Sequence, residues 1–322
     1  MTVLVLTRPL LDATADLVIS ELHERGVPVH RLDPGEFPQE LTVSAYLDDG
    51  GEDWRGTWRG QHRDLTLEDI TAVYYRRPGR FRLHPSLSAG DARWAFEEAR
   101  HGFGGVLSSL RCTWVNHPWR NALADYAPHA LAVARRCGLP VPRTLITNDP
   151  EQAHAFVRTL PGGVAAYKPL GTAGPVGEDG EAVAVWTSRV GAEEIADTVA
   201  LTTHLFQEWV SKEYEVRLTA VGGRMFAAEI HAGSAASRVD FRRDYDALAY
   251  RVCEVPTHIR RSVTKMMATL GLRYVALDFL VGQGAHRWYL VDVNPGGQYG
   301  FVPELCDPIT RALADVLEGK AP

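Results

Sequence analysis

The segments YVALDFLVG (274–282) and WYLVDVNP (288–295) carry Asp278, Asp292 and Asn294 in two apolar runs joined by five residues, QGAHR. That spacing predicts an antiparallel hairpin. A symmetric register opposes Gly282 to Trp288 and Asp278 to Asp292, with Asn294 on the same face. Two aspartates directly opposite repel by roughly 0.2–1 kcal/mol, and apolar neighbours worsen the penalty by burying them. A divalent cation resolves the conflict, and carboxylates with an amide form the all-oxygen set that suits magnesium. The bland alternative is a solvent-facing hairpin whose acids are merely hydrated. Asn294-Pro295-Gly296-Gly297, which ends the strand abruptly at this place, favours the metal.

A second signal is VAAYKPLGTAGPVGEDGEAVAVW (164–186), where Lys168 ends a strand ahead of Gly171, Gly174, Gly177 and Gly180. Such a loop lets backbone amides approach phosphate oxygens, and the ammonium adds a point charge. The Walker spacing GxxxxGK[ST] is absent, and no GxGxxG follows the first strand, so the loop alone is weak evidence. Further on, Gln207-Glu208-Trp209-Val210 forms an apolar strand end with polar edges, followed by Glu213. Backbone groups there can read a purine edge while a carboxylate holds a ribose hydroxyl. Glu215 and Arg217 share one face of the next strand, and a Glu–Arg surface pair of little worth is the competing reading of Arg217. His231 reads as structural.

These groups need elements to hold them. VLVLT (3–7) reads as a buried strand, Asp12 as the N-cap of a helix reaching Arg25, Gly26 as its stop and 27–32 as the next strand. Strands are expected at 41–47 and 72–78, with a helix over 91–110 weakened by Gly102, Gly104 and Gly105. NHPWRN (116–121) interrupts the pattern and marks a boundary; a helix over 128–137 and the extended phrase GLPVPRT (138–144) follow. Beyond lie strand signals at 164–169, 181–187, 205–210, 215–221, 224–231, 274–282 and 288–294. Helices are expected near 192–202 and at 257–270, the latter with Met266 and Met267 as core. An α/β domain followed by an α+β region is the coarse plan.

Composition narrows the class. With 34 basic and 40 acidic residues, net charge −6, and no basic block, the chain is not a dedicated nucleic-acid binder. Its four cysteines never form CxxC, which argues against zinc ribbons and disulfide frameworks and for a reducing cytosol. No run approaches the roughly 20 apolar residues of a membrane span, and the first residues do not read as a signal peptide. A cytosolic globular protein is the expectation.

A strand-borne Lys168 before a glycine-rich loop, the QEWV hinge and the Asp278…Asp292-x-Asn294 hairpin, in this order, resemble the ATP-grasp superfamily over roughly residues 116–322. The N-terminal β-α-β region is similar to the domain that usually precedes it. YYRRPGR (74–80), WVNHPWRN (114–121), YKPLG (167–171), QEWVSKEYEVRLTAVG (207–222), FAAEIHAGS (226–234) and DFRRDYDALAY (240–250) narrow the resemblance to ATP-grasp ribosomal peptide maturases, the graspetide synthetases.

The resemblance implies an ATP-grasp fold preceded by an N-terminal Rossmann-like pre-ATP-grasp domain: residues 1–115 as that domain, 116–203 as the central subdomain with the glycine-rich loop, 204–322 as the C-terminal subdomain with the metal site. It implies ATP and Mg2+ as cofactors. Lys168 would meet the phosphates; Gln207, Glu208, Trp209 and Val210 the adenine; Glu213 the ribose; Asp278, Asp292 and Asn294 the magnesium. Arg217 and Arg242 would steady the transferred phosphoryl group or the substrate carboxylate, and Arg76 and Arg77 could dock an acidic peptide. The implied activity turns Asp or Glu side chains of a ribosomal precursor peptide, leader plus core, into acyl phosphates. Thr, Ser or Lys then captures them as ester or amide macrocycles. The alternatives are a ligase that adds a free amino acid and a nucleotide-binding pseudoenzyme. Relatives are often homodimers, though nothing in the composition establishes an interface. Two departures stand out: Ala127 occupies the place of a second phosphate-binding lysine, and Asp292 that of a longer glutamate.

Overall fold

The computed structural model describes residues 2–8, 12–49, 51–171, 185–284 and 286–320. The chain begins with β1 (Thr2–Thr7), whose Val3–Thr7 are all buried. Asp12 caps α1 (Ala13–Glu24) by accepting the Ala15 N–H at 3.3 Å, and Gly26 ends it at φ +71°. β2 (Val29–Leu32) then runs parallel to β1. A small antiparallel sheet of β3 (Thr42–Tyr46), β4 (Arg55–Arg59) and β5 (Asp64–Thr66) comes next. β6 (Ile70–Arg77) returns beside β1, α2 (Ala89–Ser108) continues through its three glycines, and β7 (Thr113–Val115) completes a parallel sheet ordered β2-β1-β6-β7. Parallel strands with helical connections make this half α/β and Rossmann-like.

The expected interruption at 116–121 is itself structured. His117 caps α3 (Pro118–Asp125), and α4 (Ala127–Arg136) follows after one residue. Then come β8 (Thr144–Thr147), α5 (Pro150–Arg158), β9 (Val164–Lys168), β10 (Ser188–Gly191) and β11 (His204–Glu208), the strands forming an antiparallel sheet ordered β10-β9-β11-β8. The helix expected near 192–202 is only two 3-10 turns, 192–194 and 197–201. Ile195 and Ala196 between them are extended, and Ile195 and Val199 pack with Ala153, Val157 and Phe206, so burial overrides local helix propensity. The glycine-rich loop, with Gly174, Gly177 and Gly180, lies outside the described residues, as does most of the strand expected at 181–187.

The last part is a five-stranded antiparallel sheet, β14-β13-β12-β15-β16, built from β12 (Lys212–Val221), β13 (Arg224–Ala232), β14 (Leu248–Cys253), β15 (Tyr274–Gly282) and β16 (Trp288–Asn294). Short α6 (Ala235–Val239) leads toward β14, and α7 (Thr257–Leu270) buries Ile259, Val263, Met266, Met267 and Leu270. α8 (Pro303–Leu317) returns to the first half: its Leu313, Val316 and Leu317 share a core with Val18 and Leu22 of α1. Arg25 seals that seam with 2.6 Å ion pairs to Asp315 and Glu318. The whole is α/β and α+β.

Candidate active site

A cleft of about 540 Å³ lies between the central sheet and the five-stranded sheet, within the 300–1,000 Å³ typical of small-molecule sites. One wall comes from β9 and β11, the other from β12, β15 and β16.

On the second wall, Asp278 of β15 faces Asp292 of β16, and Asn294 pairs with Ala276 two positions along. The hairpin is not symmetric: Val281, not Gly282, faces Trp288. A bulge at Val291 takes up the one-residue difference, so the aspartates meet although the expected pairing beside the loop fails. Arg217 of β12 pairs with Asp278 from the other side, Nη1 donating to Oδ1 at 2.8 Å. Burial pushes the Asp278 carboxyl up to about 6; Arg217 pulls it down and Asp292 pushes it further up. Arg217 does not line the cleft itself, its guanidinium lying 5.5 Å from the Phe301 ring. Among the described residues no three His, Cys, Asp or Glu side chains are grouped to enclose a cation. Two carboxylates and an amide nonetheless fit magnesium, which keeps waters and takes phosphate oxygens.

On the first wall, Lys168 Nζ donates to Gln207 Oε1 at 2.9 Å and to the Val291 carbonyl at 3.3 Å. Burial lowers its pKa while Asp292, Glu215 and Asp278 raise it. Gln207 is only 1% exposed, and its Nε2 donates to Thr144 Oγ1 at 2.9 Å. Glu208, Trp209 and Val210 continue the wall, with Ala166 and Leu280 adding apolar surface. Arg242 grips Asp240 with two bonds of 2.8 and 2.6 Å at the cleft's edge, its guanidinium 5.7 Å from the Trp186 ring. Burial alone would raise the Asp240 carboxyl; Arg242 and the Thr187 N–H hold it below the usual range.

Besides Arg217, three expected residues lie off the cleft lining. Glu213 is not in the cleft; it lies half-exposed, 3.6 Å from His286 Nδ1. The cause is a register irregularity between Lys212 and Tyr214, which breaks the alternation that would align Glu213 with Glu215. Glu215, 7% exposed and paired with Lys212 at 2.7 Å, lines the cleft in its place. Arg76 is 4% exposed, its guanidinium engaged by Asp12 and the Gly296 and Gly297 carbonyls, so it offers no dock for a peptide. Arg77 is exposed at the end of β6, away from the cleft lining. Sequence reasoning passed over Lys212, Glu215, Asp240 and Asp125 as site residues, although Glu215 was legible from its shared face with Arg217. Ala127 is the first residue of α4 and lines the cleft near Asp125, whose carboxyl is raised by burial and by Asp292.

Residues 2–122 match the family model of the MvdD pre-ATP grasp domain. The RiPP-associated ATP-grasp ligase of Chryseobacterium gregarium, solved with ADP and a leader and core peptide, superposes with a TM-score of 0.90 at 26% identity, covering 100% of this chain and 97% of that one. The chain has the ATP-grasp fold. Macrocyclase MdnC of Microcystis aeruginosa MRC, bound with precursor peptide MdnA, matches at 26% identity and TM-score 0.86 over 99% of this chain and 100% of the other. PsnB, an ATP-grasp ligase solved with a minimal precursor variant, Mg and ADP, shares the fold at 23% identity and TM-score 0.74, covering 98% of each chain. A search of curated proteins finds no significant match.

Proposed function

We propose that this protein uses ATP and Mg2+ to activate Asp or Glu side chains of a ribosomally made precursor peptide and closes side-chain ester or amide rings with Thr, Ser or Lys. The observation that carries the reading is the meeting of Asp278, Asp292 and Asn294 with Lys168 across one cleft. Its support from relatives is that the two ligases at 26% identity were solved with leader, core or precursor peptides, and one of them with ADP.

A carboxylate is a poor acyl donor because its oxygen leaves badly. Attack of the carboxylate oxygen on the γ-phosphorus of ATP expels ADP and leaves an acyl phosphate. A hydroxyl or amine of the same peptide then attacks the acyl carbon, phosphate departs, and the attacking group loses its proton. The net change in the peptide is loss of water. In this reading Lys168 meets the phosphates, Gln207 to Val210 border the base, and Glu215 rather than Glu213 takes the ribose. Asp278, Asp292 and Asn294 hold the magnesium, which supplies charge neutralisation at the phosphates. Arg242 stands at the cleft's edge for a phosphoryl or carboxylate oxygen, and Arg217 acts through Asp278. The glycine-rich loop, assigned to exclude water, lies outside the described residues.

We take 1–115 as the pre-ATP-grasp domain and 116–203 and 204–322 as the two subdomains that border the cleft. A cytosolic homodimer completes the proposal; among the described residues no helix is long and apolar enough to cross a membrane. Ala127, lining the cleft at the place where the resemblance implies a second phosphate-binding lysine, favours one second reading, a nucleotide-binding protein with little turnover.

The test is the intact mass of the short peptide encoded beside this gene after incubation with the protein, ATP and Mg2+. Loss of one or more waters supports the macrocyclase. A gain of one amino-acid residue replaces it with the amino-acid ligase, and bound but unconsumed ATP with the pseudoenzyme.

A further inference from the structure

Two of the sequence's distinctive phrases, YYRRPGR and WVNHPWRN, put no side chain in the cleft. Both instead deliver a buried donor to the same short turn. Asn116, 2% exposed, donates from Nδ2 to the carbonyls of Tyr274 at 2.8 Å and Pro295 at 3.2 Å, while its Oδ1 accepts the N–H groups of Arg273 and Tyr274. Arg76 Nη1 donates to the Gly296 carbonyl and lies 3.4 Å from that of Gly297. Tyr274 Oη donates to the Gly297 carbonyl at 2.7 Å. Three successive carbonyls, 295 to 297, thus each meet a side-chain donor. The turn is also pressed against β15: a Cβ added to Gly297 would lie 2.4 Å from the Ala276 Cβ, which explains the glycine.

The turn in turn addresses one side chain of the site. Asn294 is the last residue of β16, so the ladder holds it from one side only. The Gly296 N–H donates to Asn294 Oδ1 at 3.0 Å. An N–H can pair only with the oxygen end of the amide, so this bond selects the rotamer in which Oδ1, not Nδ2, faces Gly296. A cation needs that same oxygen, which accepts no second hydrogen bond among the described residues.

We propose that Arg76, Asn116 and Tyr274 are positioning residues that fix the Pro295–Gly297 turn and so hold the Asn294 oxygen ready for magnesium. The proposal rests on the reading of Asn294 as a metal ligand. Arg76 comes from the N-terminal half and Asn116 from the residue just beyond β7, so the N-terminal half helps set the metal site without touching it. Distant partners of metal ligands act in this way by orienting the ligand before the ion arrives.

The experiment uses the full chain and two conservative variants. Tyr274→Phe removes one hydroxyl, and Arg76→Lys keeps the charge beside Asp12. Calorimetry measures ADP affinity without metal and the Mg2+ concentration that half-maximally tightens ADP binding, with thermal melts alongside. Each variant should need about tenfold more Mg2+, with metal-free ADP affinity unchanged. An unchanged Mg2+ requirement with a lowered melting temperature would show a merely structural turn and overturn the proposal. Asn294→Ala separates the two levels. If its Mg2+ requirement rises while those of the turn variants do not, only the positioning role fails. If Asn294→Ala itself leaves the requirement unchanged, the metal reading fails and the positioning role falls with it.

Discussion

Lys168 donates to the carbonyl of Val291, the residue that β16 inserts between Leu290 and Asp292 so that Asp292 can face Asp278. The bulge thus does two things with one extra residue: it aims a carboxylate and frees a carbonyl that anchors the ammonium of the opposite wall.

Lys168→Met should lower ATP-dependent phosphate release by roughly 10²–10³-fold, the usual cost of removing one donor aimed at developing charge. Gln207 Oε1 and the Val291 carbonyl would also lose their donor, costing about 1–3 kcal/mol of stability where burial persists. Stopped-assay phosphate release and urea denaturation check the two parts separately.

Asp278→Asn should abolish turnover and leave the fold intact. The exchange removes the charge that Asp292 opposes and that Arg217 pairs with, so the structural losses and gains offset. Undiminished phosphate release in a well-folded variant would sink the metal assignment.

Glu215→Gln and Glu213→Gln should behave differently although the residues are two apart. The first should raise the ATP KM roughly 10- to 150-fold, as loss of a charged hydrogen bond of about 1.5–3 kcal/mol implies. The second should leave it unchanged, since Glu213 lies outside the cleft. Equal effects would argue against Glu215 as the ribose contact.

Ala127→Lys should raise turnover by at least about tenfold, equivalent to roughly 1.4 kcal/mol at the transition state, because the new ammonium would enter a wall that now offers Asp125. No gain in phosphate release would show that the alanine is not what limits the enzyme.

The α1–α8 seam should make stability fall in acid. Burial alone would raise the Asp315 and Glu318 carboxyls, but bonds from Arg25, with Arg224 and Lys320, hold both below the usual range. Their contribution is therefore complete above the unfolded carboxylate pKa of about 4 and is lost as pH falls through the lower folded values. Thermal melts between neutral and acid pH should show this loss in the parent and less of it in Arg25→Met.

Short-range patterns carried most of what could be read beforehand. Asp12, Gly26 and the run from Ile259 to Leu270 signal their elements locally, and the structure follows them. The hairpin's length placed Asp278 opposite Asp292, yet its assumed symmetry was wrong, and only the bulge at Val291 brought the two together. Glu213 falls outside the cleft lining for the same kind of reason, since a strand irregularity costs no visible residue type. Arg76 looked like a surface cation because nothing near it in sequence reveals Asp12 or the Gly296 carbonyl. α5 shows in the sequence only through its Asp149-Pro150 start, and α8 takes its meaning from α1, a contact no window of neighbouring residues contains.

That last contact has a consequence for synthesis. Arg25 and Asp315 are 290 positions apart, so at about 5–20 residues per second the ribosome extrudes α1 roughly 15–60 s before α8 can cover it. During that interval the nascent chain carries the apolar flank of Val18 and Leu22 uncovered. The first half can acquire its parallel sheet while still tethered, but it cannot close its own core. Shielding of the newborn chain, rather than the stability of the finished one, would then set how much of this protein a cell recovers intact.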